Sequence, residues 1–152
     1  MKLTILAVGR MKSGPTLDSI KEYQRRMETP LAIREVECKK ALDGPQKMAE
    51  EGHLLMDALP EGARLVAMDE HGKNLGSREF AALIQNEQDN GCRDLVFVIG
   101  GADGLSEDIR KRAFTTLSFG KLTWPHMLAR LMLAEQLYRA QQILKGHPYH
   151  RD

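Results

Sequence analysis

The chain has 152 residues, 42% hydrophobic and 28% charged, with a formal net charge of +1. Those values describe a folded chain of one domain, residues 1–152, and exclude a disordered or fibrous protein. No apolar run approaches the length of a membrane span, and Cys38 and Cys92 stand far apart with no clustered histidine. That argues against a disulfide or zinc framework and for reduced thiols in a cytosolic protein.

The charge is unevenly spread. Residues 109–152 hold eight Lys or Arg against two acids, a net of +6, so residues 1–108 carry −5. A basic region of this kind is what an anionic partner needs; a solvated helical face is the alternative.

In chain order, residues 3–9 read as a first strand rather than a signal peptide. Residues 16–28 have helical spacing through Leu17, Ile20 and Met27, and Pro30 ends the helix. Residues 31–38 are extended. Gly44-Pro45 opens a helix to about residue 59, weakened by Gly52. A third strand at 64–69 stops at Glu70-His71-Gly72. Ser77 is positioned to cap the next helix, which Asn90-Gly91 closes. Residues 95–99 are five consecutive apolar residues, a strand covered on both faces. Glycines 100, 101 and 104 follow, and Ser106 caps a short helix with Glu107 and Asp108 in its first turn. A further strand at 115–119 ends at Gly120, and Trp124-Pro125 opens the longest helix, residues 125–144. Strands alternating with helices imply an α/β fold: a mostly parallel sheet with helices on both faces. The last helix is apolar around more than one stripe, which predicts contacts on two sides, one with its own sheet and one with a second subunit.

Residues 100–104 (GGADG) match neither the dinucleotide fingerprint nor the Walker loop. Ligands of parallel sheets bind beyond the carboxyl ends of the strands. Three strands end at Met68-Asp69, at Gly100 and at Phe119-Gly120. If these adjoin, their turns line one pocket able to hold a planar adenine by backbone hydrogen bonds. No nucleophile arrangement is present around Ser13, Ser106 or Ser118. Asp69-Glu70-His71 reads as a solvated turn, not a metal site, because adjacent strand residues point opposite ways. The tail is unusual: His147, Tyr149, His150 and Arg151 combine stacking faces, titratable donors and a phosphate binder, suited to a nucleobase beside phosphate; a frayed chain end is the alternative.

Residues 97–106 (FVIGGADGLS), 117–126 (LSFGKLTWPH), 135–140 (EQLYRA) and 147–151 (HPYHR) resemble the RlmH (YbeA) family, as do 2–9 (KLTILAVG) and 22–26 (EYQRR). The resemblance covers the whole chain. It implies a ribosomal RNA methyltransferase of the SPOUT, or α/β-knot, class with a C-terminal trefoil knot. Such an enzyme is a cytoplasmic homodimer that uses S-adenosylmethionine to methylate N3 of a pseudouridine in a stem-loop of 23S rRNA, on the assembled ribosome. Neither membrane nor DNA is a partner, and no metal is required. By position it places the cofactor at Met68, Gly100, Phe119, Gly120, Lys121, Leu122, Thr123 and Trp124. The family often has leucine where this chain has Met68; methionine keeps the apolar contact. RNA binding falls on His147, Tyr149, His150 and Arg151, and Tyr149, His150 and Arg151 complete the catalytic site. Action on another RNA position, or a non-catalytic ribosome-binding role, are the competing readings.

Overall fold

The computed structural model describes residues 1–152. Its five strands form one sheet in the order β2-β1-β4-β3-β5, every pairing parallel. The strands are β1 (Lys2–Val8), β2 (Leu31–Val36), β3 (Arg64–Lys73), β4 (Asp94–Ile99) and β5 (Thr115–Leu117). The helices are α1 (Pro15–Arg26), α2 (Gly44–Ala58), α3 (Ser77–Asp89), α4 (Glu107–Arg112) and α5 (His126–Leu144).

Side-chain alternation sorts the core into two layers. Leu3, Ile5, Ala7, Val66, Leu95, Phe97 and Ile99 pack with Ile20 of α1, Phe80 and Ile84 of α3, and Leu133 and Leu137 of α5. The opposite face sets Leu6, Val8, Leu65, Ala67, Val96 and Val98 against Leu55 of α2 and Ile109 of α4. Both faces of the central strands are therefore covered, which is why residues 95–99 carry no polar side chain.

Three local features differ from the sequence expectations. β3 runs on to Lys73 instead of stopping near residue 69, because its far end folds over the short edge strand β5. Met68 and Lys73 both pair with Leu117 across an irregularity, and Ser118 N–H donates to Lys73 O at 2.9 Å. Gly72 makes this approach feasible: a Cβ there would lie 2.6 Å from the Leu117 carbonyl carbon and 2.7 Å from Leu117 N. β5 itself stops at Leu117, two residues short of the expected strand.

The second difference is at the start of α3. Gly76, not Ser77, is the N-cap residue, and Glu79 Oε1 accepts from Gly76 N–H at 2.9 Å. Ser77 lies within the helix and donates its hydroxyl hydrogen to Gln136 Oε1 of α5 at 2.8 Å. Ser106, by contrast, caps α4 as its sequence implies, accepting from Ile109 N–H.

The third concerns α5. It packs against α1 and α3 as well as the sheet, so much of its broad apolar circumference is covered within the chain. Leu128 and Leu144 remain exposed.

Candidate active site

The order β4-β3-β5 sets three strand ends side by side, with Met68 opposite Ile99 on one side and Leu117 on the other. A cavity of about 610 Å³ opens just beyond them. Met68, Gly100, Phe119, Gly120, Leu122, Thr123 and Trp124 all line it, so residues from distant stretches of sequence meet there. Lys121 is exposed and is not among the lining residues.

Each wall has a local cause. At Gly100 a Cβ would lie 2.7 Å from the C and O atoms of Gly104, so this glycine permits a tight turn that folds on itself. Gly104, at φ 82°, closes the turn by donating its N–H to Gly101 O at 3.0 Å. After β5, Ser118 clamps Gly120 twice: its Oγ accepts from Gly120 N–H at 3.1 Å and donates to Gly120 O at 2.8 Å. That bend puts Gly120 at φ 108°, where a side chain would be strained. Trp124 Nε1–H donates to Phe119 O at 3.3 Å and straps the loop. Leu122, 71% exposed, and Trp124, 39% exposed, leave apolar surface at the loop before α5.

Sequence reasoning missed an ion pair in this wall. Asp69 accepts from His71 N–H at 2.9 Å and faces Arg110 Nη1 at 3.5 Å. Both Asp69 and Arg110 line the cavity. Their pairing crosses from β3 to α4, and no spacing along the chain signals it.

A second, mainly apolar cavity of about 650 Å³ shares Met68 and the 117–120 stretch with the first, and extends to Tyr23 of α1 and to Leu128 and Glu135 of α5. Glu135 anchors the C-terminal tail. Its Oε1 accepts from Arg139 Nη2 at 2.6 Å and from the Tyr149 hydroxyl at 2.9 Å. The Glu135–Arg139 spacing is a readable helical pair, whereas its link to Tyr149 is tertiary. The Tyr149 ring stands edge-on to Tyr138 at 4.8 Å, with Arg139 over its face at 4.9 Å. Burial first, then the hydrogen bond to Glu135, push the Tyr149 phenol far above its ordinary range. It therefore stays protonated.

His150 Nδ1 lies 3.0 Å from Arg139 Nη1. A guanidinium can only donate, so Nδ1 accepts and the ring hydrogen sits on Nε2, donating to Asp152 Oδ1 at 2.9 Å. Asp152 also receives Arg78 Nε–H at 3.0 Å, and Arg78 first and His150 second hold its carboxyl below the usual range. His147 Nδ1 accepts from Tyr149 N–H at 3.1 Å. Arg151 is exposed and makes no hydrogen bond or ion pair. The tail is thus folded onto its own α5, and none of its residues lines either cavity.

Folding also redistributes the basic excess of residues 109–152. Arg110 pairs with Asp69, Arg130 with Glu35, and Lys145 with Glu28, all acids from the first part of the chain. Lys111 and Arg139 pair within their own helices. Arg112, which donates to Ala63 O, Lys121 and Arg151 remain exposed without an acidic partner, the cations left for an outside anion.

The sequence and fold have clear relatives. Residues 1–150 match the family described as "Predicted SPOUT methyltransferase". The chain is 53% identical over 151 residues to the Ribosomal RNA large subunit methyltransferase H of Paramagnetospirillum magneticum, covering 99% of both chains. It is 52% identical to the protein of the same name from Rhodospirillum centenum, again covering 99% of both. Against that of Dinoroseobacter shibae it is 48% identical over 159 residues, 99% of each. Among solved structures, a probable methylase family protein from Haemophilus influenzae Rd KW20 superposes with a TM-score of 0.56 at 11% identity, covering 99% of this chain and 70% of that one, a likeness of fold alone.

Proposed function

The chain belongs to the SPOUT methyltransferase family, with relatives throughout its length that are large-subunit ribosomal RNA methyltransferases H, and from that premise we propose that it methylates N3 of a pseudouridine in 23S rRNA, using S-adenosylmethionine. The observation that carries the reading is the cavity where β4, β3 and β5 end together. Its volume of about 610 Å³ lies within the roughly 300–1,000 Å³ of small-molecule sites. The lining suits an adenosine: Met68 and Phe119 offer apolar faces, and the turns at Gly100 and Gly120 bring backbone N–H and C=O groups to the wall.

When bound, the cofactor supplies an activated methyl group, so no nucleophilic side chain is needed. The chain's own task is to hold the two reactants in line and exclude water. Met68, Gly100, Phe119, Gly120, Leu122, Thr123 and Trp124 would hold the cofactor, while Lys121, exposed outside the cavity, would serve as a phosphate contact. Of the proposed catalytic trio, His150 has the nitrogen lone pair that can take the N3 proton, once Nδ1 lets go of Arg139. Tyr149 keeps its proton and serves as a stacking face and hydrogen-bond donor. Arg151 stabilises negative charge on the base or its phosphate, and His147 adds an RNA contact.

We propose further that the enzyme is a cytoplasmic homodimer of one SPOUT domain, residues 1–152, knotted near its C-terminus. Exposed Leu128 on α5 and the adjoining apolar cavity support a subunit contact there. The tail lies beside that cavity, so in the dimer it completes the partner's site on the ribosome.

The test is direct. Ribosomes whose 23S rRNA lacks the modification are incubated with the protein and S-adenosylmethionine, and the rRNA is mapped by mass spectrometry. One added methyl on a single pseudouridine is expected. Methylation of a different nucleotide would displace the substrate assignment, and no methylation would refute the reading.

A further inference from the structure

Glu51 lies on α2 beneath the carboxyl ends of β1 and β4. It is 4% exposed, yet its Oε1 has no hydrogen-bond partner. A buried carboxylate without donors is costly, so its position calls for a reason. The neighbour that constrains it is Gly101. A Cβ at Gly101 would lie 3.0 and 3.3 Å from the two Glu51 carboxyl oxygens and 3.2 Å from Val8 Cγ1. The 100–104 turn therefore has Glu51 packed against it, while the same turn forms a wall of the cavity.

The turn has N–H groups to offer: those of the exposed Ala102 and Asp103 have no acceptor within the protein. A buried carboxyl oxygen lacking a donor thus adjoins a turn whose amides are bonded to no protein acceptor. The charged groups around Glu51 oppose each other: Lys47, one helical turn earlier, favours the carboxylate, and Asp103 on the turn disfavours it. Burial outweighs both and pushes the Glu51 carboxyl above its ordinary range. Beside it, Ser106 of the α4 cap packs on Gly52, so α2 lies close against the α4 cap.

We infer that Glu51 is a positioning residue for ligand binding in this cavity: when the cavity fills, the 101–103 turn settles onto the carboxylate, which accepts the turn's N–H groups. Glu51 acts on the ligand through the turn and does not touch the reacting atoms. The inference rests on the proposed cofactor reading, and its signature is separable from it. Donors gathered around a carboxylate favour ionisation, so binding is linked to proton release at the acidic pH values where the free carboxyl is protonated.

Calorimetry with S-adenosylmethionine, repeated from neutral to acidic pH in two buffers of different ionisation enthalpy, measures affinity and protons released together. Wild type is compared with Glu51→Gln, which keeps the shape but cannot ionise, and with Glu51→Ala. Loss of hydrogen bonds to a charged acceptor should weaken binding by roughly tenfold or more in both variants, and the Glu51→Gln complex should release fewer protons than wild type. Wild-type affinity together with wild-type proton release in Glu51→Gln would overturn the inference while leaving the cofactor reading intact. Failure of the wild-type protein to bind would remove the cofactor reading and the inference with it. Thermal melts of the free proteins establish that each variant is folded, and the isosteric glutamine carries the test if alanine is not.

Discussion

Arg130 offers a quantitative test of what holds α5 over the strand ends. Its side chain is 1% exposed, although it sits in a helix of mostly apolar residues. One terminal nitrogen pairs with Glu35 Oε2 at 2.5 Å. The other lies 3.2 Å from Gly9 O and 3.5 Å from Val8 O, and Nε has no partner. The same Glu35 oxygen accepts Met11 N–H at 2.8 Å, tying the loop after β1 to β2. Glu35→Ala would leave a guanidinium buried against two carbonyls. Breaking a fully buried pair costs about 3–5 kcal/mol. Glu35 is 34% exposed, so water takes over part of its role, and about 2–3 kcal/mol is the expected loss. At roughly 2–4 °C per kcal/mol for a chain of this size, Tm should fall by about 4–12 °C. Arg130→Met removes the charge that needs a partner, so the double variant Glu35→Ala/Arg130→Met should be more stable than Glu35→Ala alone. Urea unfolding of wild type, both single variants and the double variant gives the coupling. A Glu35→Ala loss within about 0.5 kcal/mol, the range of ordinary surface changes, with additive effects in the double variant, would refute the account.

Gly72→Ala should displace β5 and the wall that follows it, because its Cβ has only Leu117 and Thr116 backbone to meet; a stability loss above about 1 kcal/mol and weaker cofactor binding are expected, and unchanged melting would show that the strand gives way freely. Deleting residues 147–152 should leave cofactor affinity near wild type while rRNA methylation collapses, measured by calorimetry and by mapping the rRNA; normal methylation would dismiss the tail. Glu51→Gln should alter stability in a pH-dependent way. The folded state raises the Glu51 pKa, so its contribution is fully present at acidic pH, below the unfolded value, and is lost as pH rises through the folded value. The free Glu51→Gln variant should therefore gain stability over wild type at neutral pH, with the advantage shrinking in acid. A constant difference across pH would count against a strained Glu51 carboxylate.

Much of the architecture is legible along the chain because it depends on local periodicity. The apolar run at 95–99 must be covered on both faces, and helices between strands enforce parallel pairing. Turn chemistry is partly legible. Ser106 caps α4 as its residue type implies, but Ser77 yields the cap position to Gly76 because the Glu79 side chain already satisfies the Gly76 amide. Gly52 reads as a flaw in α2; in the fold a Cβ there would lie 2.6 Å from Ser106 Oγ, so the glycine is the room in which the α4 cap sits.

Cavity-lining Met68, Gly100, Phe119 and Gly120 follow from chain order together with the rule that parallel-sheet ligands gather at strand ends, whereas Leu122, Thr123 and Trp124 are indicated by the family resemblance alone. What placed them together is the strand order β4-β3-β5, a property of global packing that no local pattern encodes. Tertiary structure alone also decided the fate of the charges. From sequence, residues 109–152 are a basic segment; in the fold, acids from the first part of the chain meet Arg110, Arg130 and Lys145, and only Arg112, Lys121 and Arg151 stay exposed without an acidic partner. Composition fixes how many charges a chain carries. Which of them face a partner depends on contacts between residues such as Glu35 and Arg130, which lie far apart in sequence and meet only when the sheet has formed.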